Sequence, residues 1–168
     1  GGQSDVLLLL VVDHAKATFR VLQLDRDTMT QVPVIGFGVG GSAGSVLGTE
    51  YMQLEFAHTY GDGREQSGEN TVDAVSGLLY GAPIDGYAAL LMDAIPILND
   101  MVGGVTVTVE DDLTAMDATL VQGRTVTLYG EQAMHFVHAR RGVGDGSNVA
   151  RMRRHRAYLH GFEQQLRA

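Results

Sequence analysis

The stretch that decides the fold is residues 5–28, DVLLLLVVDHAKATFRVLQLDRDT. The run DVLLLLVV, Asp5 to Val12, is apolar after its first residue and reads as a strand buried on both faces, because a half-buried strand alternates apolar with polar residues. His14 to Ala17 read as a short turn and Thr18 to Leu24 as a second strand. So short a connection forces the two strands to be antiparallel. Pairing of Val12 near Thr18 then sets Asp5 opposite residues 25–26, so Asp5 and Arg26 meet at one end of the hairpin. Asp13 falls at the far end, beside the turn, where a structural role is expected.

Working outward, residues 35–49 are rich in glycine and serine and read as a loop. Within it Gly36-Phe37-Gly38-Val39-Gly40-Gly41 fits GxGxxG, but no strand–turn–helix context supports a dinucleotide site there. Glu69 to Tyr80 reads as a helix with Val72, Val75, Leu78 and Leu79 on one face, ended by Gly81 and Pro83. Ile84 to Met92 reads as a third long strand. Asp93 is placed to cap a helix running to Val102, with Pro96 in its first turn and Gly103 as its stop. Val105 to Val109 and Thr125 to Leu128 read as shorter strands, and Glu131 to Arg140 and Asn148 to Leu166 as the closing helices. Interleaved strands and helices imply an α/β fold, a three-layer sandwich with a central mixed β-sheet covered by helices on both faces. One domain over 1–168 is expected, since a chain of 168 residues can bury a sufficient core by itself.

Composition bounds the function. Apolar residues make up 45% and charged residues 19%, a globular balance, and with zero cysteines a disulfide framework and a thiolate zinc site are excluded. The net charge of −8 argues against nucleic acid as a partner. The cations are unevenly spread: Lys16 is the single lysine, and seven of the eleven arginines lie between Arg140 and Arg167. Arginine offers a planar fork that grips phosphate at two points, so this bias suits a specific anion site.

The strongest grouping is Asp5, Arg26, Asp27, Arg140, Arg151 and Arg154. Arg151 and Arg154 share a helix face. They border an apolar stripe of Met152, Leu159, Phe162 and Leu166, an arrangement suited to a phosphate carried on a lipid. His135 and His138 lie three apart on one helix, yet no third ligand stands near them in sequence. Glu110, Asp111 and Asp112 read as a solvated acidic turn.

Four segments, in order, resemble the LytR-CpsA-Psr family of bacterial cell-envelope phosphotransferases. They are GQSDVLLLL at 2–10, LDRDT at 24–28, the stretch NTVDAVSGLLYGAPIDGYAALLMDAIPILNDMVGGVTVTV at 70–109, and GEQAMHFVHARR with DGSNVARMRRH at 130–155. The resemblance implies transfer of a glycopolymer, of teichoic acid or capsular polysaccharide type, from a polyprenyl (pyro)phosphate carrier to peptidoglycan. It implies that Asp5 holds Mg²⁺, that Arg26 and Asp27 are catalytic, and that Arg26, Arg140, Arg151, Arg154 and His155 bind the pyrophosphate. Asp27 either orients Arg26 or acts on the incoming sugar hydroxyl. The resemblance also implies the extracytoplasmic face of the bacterial membrane, with a single-pass anchor and a further strand bearing a second metal-binding aspartate preceding residue 1. Three positions depart from the family pattern. His138 and Gln3 stand where arginines are usual, and His155 where a glutamine is usual. The same clamp would serve a polyprenyl pyrophosphate hydrolase, and those departures would also suit a non-catalytic module binding lipid phosphate or glycan. On the transferase reading, Arg26→Ala abolishes transfer and leaves the melting temperature nearly unchanged.

Overall fold

The computed structural model describes residues 2–36, 45–140 and 142–168. The chain has two compact units, Gly1–Ala89 and Leu90–Ala168. Strands and helices interleave through both, giving the α/β class expected from the sequence pattern, with helix-flanked β-structure consistent with a three-layer sandwich.

In the first unit β1 (Leu7–Asp13) pairs antiparallel with β2 (Thr18–Leu24), in the register Leu7↔Leu24 through Asp13↔Thr18. Asp13 accepts hydrogen bonds from the backbone N–H groups of Ala15 and Lys16 at 3.1 Å each, the turn-forming role expected of it. Next, β3 (Met29–Gly36) pairs with β4 (Ser45–Gln53), with a bulge between Val34 and Ile35. Residues 45–49, expected in a loop, are therefore strand: pairing with β3 supplies backbone partners that a glycine- and serine-rich composition does not advertise. The GxGxxG stretch from Phe37 to Gly41 lies outside the described residues. The short α1 (Phe56–Thr59) and the longer α2 (Glu65–Leu78) pack on the β3–β4 hairpin. The buried cluster comprises Leu7, Val32, Leu54, Ala57, Ala74 and Val75.

Two expectations are corrected in this unit. Leu7 is buried, but Leu8, Leu10, Val11 and Val12 are exposed, so β1 is not covered on both faces. The physical reason is that α1 and α2 lie over β3 and β4, and the apolar run joins the core only at its base. Residues 82–91 form no regular element, although Ile84 to Met92 reads as a strand. Ile84 instead packs at the edge of the Leu54 cluster. Tyr87 lies against α2, where a Cβ on Gly68 would stand 2.1 Å from its ring, and donates to the Glu65 carbonyl at 3.1 Å. An apolar run becomes a strand only where a neighbour takes up its backbone groups.

In the second unit α3 (Ala94–Met101) starts after Asp93 and stops at Gly103, which adopts φ +83°. Asp93 makes no side-chain capping bond, contrary to the sequence reading; its backbone is already helical, where an N-cap is extended. The β5 strand (Val105–Thr108) pairs antiparallel with β6 (Thr125–Leu128), burying Val105 and Val107 on one side. On the other side Thr106 meets Thr127 and Thr108 meets Thr125, hydroxyl to hydroxyl at 2.8 and 3.2 Å. The closing helices are α4 (Glu131–His138) and α5 (Asn148–Leu166). Ser147 caps α5, its hydroxyl accepting from the Ala150 N–H at 3.1 Å. Gly161 lets α5 lie directly on β5, since a Cβ there would stand 2.5 Å from the Thr106 carbonyl oxygen.

The sequence places the arginines of α5 beside an apolar stripe ending at Leu166. The structure rotates that assignment: the buried face is Arg151, Arg154, His155, Tyr158 and Gly161, while Leu166 is exposed. This face follows the helical period as well as the apolar stripe does. It is favoured because the C-terminal end of α4 supplies acceptors for Arg154 and His155.

Candidate functional site

The first group of candidate residues assembles at the open end of the β1–β2 hairpin. The register Leu7↔Leu24, extended by two residues, brings Asp5 opposite Arg26. The link from β2 to β3 is a tight turn, in which Thr28 donates its N–H to the Asp25 carbonyl at 3.0 Å and Asp27 donates its N–H to Asp25 Oδ1 at 2.9 Å. An aspartate that accepts from the backbone two residues on is a recurrent turn former. This turn is tied to the end of β4: Leu54 donates to the Thr28 carbonyl at 2.8 Å and Glu55 to the Arg26 carbonyl at 3.0 Å.

Arg26 is 7% exposed, and a buried guanidinium requires compensating charge. Its NH1 donates to Asp5 Oδ1 at 2.6 Å. Its NH2 is ion-paired with Glu55 and donates to Gln3 Oε1 at 3.4 Å. Asp27 Oδ1 stands 3.7 Å from Nε, beyond hydrogen-bond length. The three carboxylates differ in access: the side chains of Asp5 and Asp27 are 29% and 35% exposed, that of Glu55 only 7%. Glu55 is the residue that sequence reasoning missed. The signal available was a lone acid between Leu54 and Phe56, at the junction of a strand and a helix.

The second group lies in the other unit, around the C-terminal end of α4. Arg154 is 1% exposed, and all three of its nitrogens meet protein acceptors. Nε donates to the Phe136 carbonyl at 3.2 Å, NH2 to the Ala139 carbonyl, and NH1 to Asp111 Oδ2 at 2.5 Å. His155 Nε2 lies 2.9 Å from the Val137 carbonyl, an acceptor that requires the proton on that nitrogen. Adjacent residues of α5 thus satisfy carbonyls that a helix C-terminus leaves without partners. Arg140 follows this end, half-buried. Arg151, 3% exposed, donates from Nε and NH2 to Asn148 Oδ1 at 3.1 and 2.6 Å.

The acidic turn is corrected in part. Asp112 does behave as a turn residue, its carboxyl held below the usual range by the Thr114 N–H. Asp111, expected in solvent, is the counter-ion of Arg154. Its partial burial follows from the arginine, because a guanidinium inside the fold draws the nearest carboxylate towards it.

For a divalent cation the relevant donor is Asp5, a partly exposed carboxylate. Among the described residues no group of three or more histidines or acids converges as a metal cage. Mg²⁺ is commonly held by one or two carboxylates together with water and substrate phosphate, so this donor set fits it. No helix among the described residues is long and apolar enough to cross a membrane.

A family model described as LytR_cpsA_psr matches residues 1–168. The polyisoprenyl-teichoic acid–peptidoglycan teichoic acid transferase TagU of Halalkalibacterium halodurans is 26% identical over 140 residues, 83% of this chain and 40% of that protein. Among solved structures, protein gbs0355 of Streptococcus agalactiae is similar with TM-score 0.75 and 21% identity, over 98% of this chain and 53% of that one. Bacillus subtilis TagV is similar with TM-score 0.69 and 24% identity, over 98% of this chain and 57% of that one. The putative transcriptional factor Lmo1026 of Listeria monocytogenes gives TM-score 0.63 at 23% identity, over 99% and 62%. At these identities the structural likeness speaks for the fold, and the chain spans less than two thirds of each of these relatives. The family match extends over the whole sequence, and the chain belongs to the LytR_cpsA_psr family.

Proposed function

We propose that this chain acts at the cell envelope, transferring a glycopolymer from a polyprenyl (pyro)phosphate carrier to peptidoglycan. The observation that carries the proposal is the buried Arg26, held between Asp5 and Glu55 on the turn that also presents Asp27. The relative named as a teichoic acid transferase supports the substrate class. Phosphoryl transfer calls for positioned positive charge, because charge on the transferring group must be neutralised as bonds exchange. In this reading an acceptor sugar hydroxyl forms the new O–P bond while the bond from phosphorus to the carrier phosphate breaks. Arg26, in the first unit, binds phosphate oxygens; for Arg140 and Arg151, in the second, phosphate binding is proposed on family membership alone. Arg154 and His155 hold the end of α4 from which Arg140 extends. Asp27, beyond hydrogen-bond length of Arg26 and partly exposed, receives the hydroxyl proton. Asp5 would hold Mg²⁺, which supplies charge neutralisation at the phosphate. The site works on the extracytoplasmic face of the membrane, the anchor lying outside this chain.

The test is Arg26→Lys, which retains a cation opposite Glu55 but removes the fork. Transfer from a polyprenyl-pyrophosphate-linked glycan to peptidoglycan should fall roughly 100-fold or more, the scale seen when one positioned donor is lost from a charged transition state. A wild-type rate in this variant refutes the assignment. Product analysis with and without the glycan acceptor separates transfer from hydrolysis, since release of free polyprenyl phosphate and glycan phosphate without acceptor would identify a hydrolase.

A further inference from the structure

Glu55 touches the proposed site three times. Its N–H donates to the Arg26 carbonyl at 3.0 Å, its carbonyl accepts from the Ser4 N–H at 3.2 Å, and its carboxylate pairs with Arg26 NH2. One residue thereby ties the arginine's backbone, the arginine's guanidinium and the segment bearing Asp5. It is also the least accessible of the three acids around Arg26.

A guanidinium at the end of a flexible side chain must be fixed in direction before its donors have a defined geometry towards a phosphate. Both terminal nitrogens of Arg26 already meet carboxylates, so a phosphate approaching NH1 competes with Asp5 and one approaching NH2 competes with Glu55. Of the two acids Asp5 is the more accessible, with 29% of its side chain exposed, whereas Glu55 is buried and held by its backbone on both sides.

We propose that Glu55 is the positioning residue of this site: it stays paired with Arg26 while Asp5 yields NH1 to an incoming phosphate. This rests on the phosphate-binding reading of Arg26. It assigns the reach of the Glu55 side chain as the property that matters, over its charge. Its charge opposes an anion, whereas its reach sets where the guanidinium lies.

The two properties separate by substitution in the intact chain. Glu55→Asp keeps the charge and withdraws it by one methylene, and Glu55→Gln keeps the reach and an acceptor oxygen without the charge. Transfer kinetics, inorganic pyrophosphate binding in the presence of Mg²⁺, and solvent exchange of the Arg26 Nε–H by NMR are measured for each, with thermal stability. Glu55→Asp is expected to lower kcat about 10- to 100-fold, the penalty typical of a misplaced group, with KM within about threefold, and to speed the exchange. Glu55→Gln is expected to retain kcat within about threefold and to bind pyrophosphate several-fold more tightly, as a neighbouring negative charge is removed. Equal losses in the two variants, in step with melting temperature, mark Glu55 as merely structural and overturn the proposal. So does wild-type turnover in Glu55→Asp alongside an impaired Arg26→Lys. If Arg26→Lys itself turns over normally, the phosphate reading fails, and unaltered exchange in Glu55→Asp then overturns the hold of Glu55 on Arg26 as well.

Discussion

Single residues carry the charges that matter here, and burial decides their worth. Arg26→Ala, neutral for stability on the sequence reading, is corrected by the structure. It would strand the Glu55 carboxylate inside the fold, and loss of one partner from a buried pair costs on the order of 3 kcal/mol. We expect a clear drop in melting temperature for Arg26→Ala and a much smaller one for Arg26→Lys, as differential scanning calorimetry would show. Arg154→Met should behave similarly, leaving the Phe136 and Ala139 carbonyls and Asp111 without their donor, at a cost of roughly 3 kcal/mol in urea unfolding. Stability unchanged in that variant would show that water replaces the guanidinium without penalty. The pairing of Asp5 with Arg26 was legible because hairpin register is arithmetic on residue numbers. The pairings of Glu55 with Arg26 and Asp111 with Arg154 were not, since they join residues 29 and 43 positions apart through packing that no local pattern encodes.

Elements were read well where their signals are local. The limits of α5, Asn148–Leu166, and of β6, Thr125–Leu128, agree with the sequence pattern, as do the two strands of the first hairpin to within two residues. A capping serine, helical periodicity and a short turn act within a few residues of themselves. Strand β4 and the face of α5 were misread for a different reason: each depends on what lies opposite. Ser45–Gln53 is strand because β3 pairs with it, and α5 turns Arg154 and His155 inward because acceptors at the end of α4 await them there. The contact of α5 with β5 gives a test. Gly161→Ala must push the helix off the Thr106 carbonyl, so a loss of about 1–3 kcal/mol is expected in thermal or urea unfolding. Alanine favours a helix by about 1 kcal/mol over glycine in isolation, so a gain in stability would show that the close approach is absent.

Across the whole molecule, the titrating groups define how stability responds to pH. The carboxyl of Asp100 is held below its usual value by the Gly130 N–H and then by Asn99, and that of Asp145 by the hydroxyl and N–H of Ser147. Asp117 is held down by the Thr119 hydroxyl and N–H. A depressed carboxyl stabilises the fold above its ordinary value near 3.8, and that contribution disappears as pH falls through the lowered value. Burial, and then the nearby Asp100, raise the Tyr158 hydroxyl from 10.0 to about 12. Its contribution is complete below 10 and is lost as pH rises towards 12. Melting temperature should therefore decline at both limits, and Asp100→Asn should flatten the acid limb while Tyr158→Phe flattens the alkaline one. By itself the sequence determined the α/β class, the hairpin that sets Asp5 beside Arg26, and the arginine-rich segment that resembles this family, because periodicity, short turns and charge spacing act along the chain. Only the tertiary structure decided which acids neutralise the buried arginines, which face of α5 turns inward and where β4 finds its partner. Those outcomes depend on hydrogen-bond partners and counter-charges that folding brings from distant parts of the sequence.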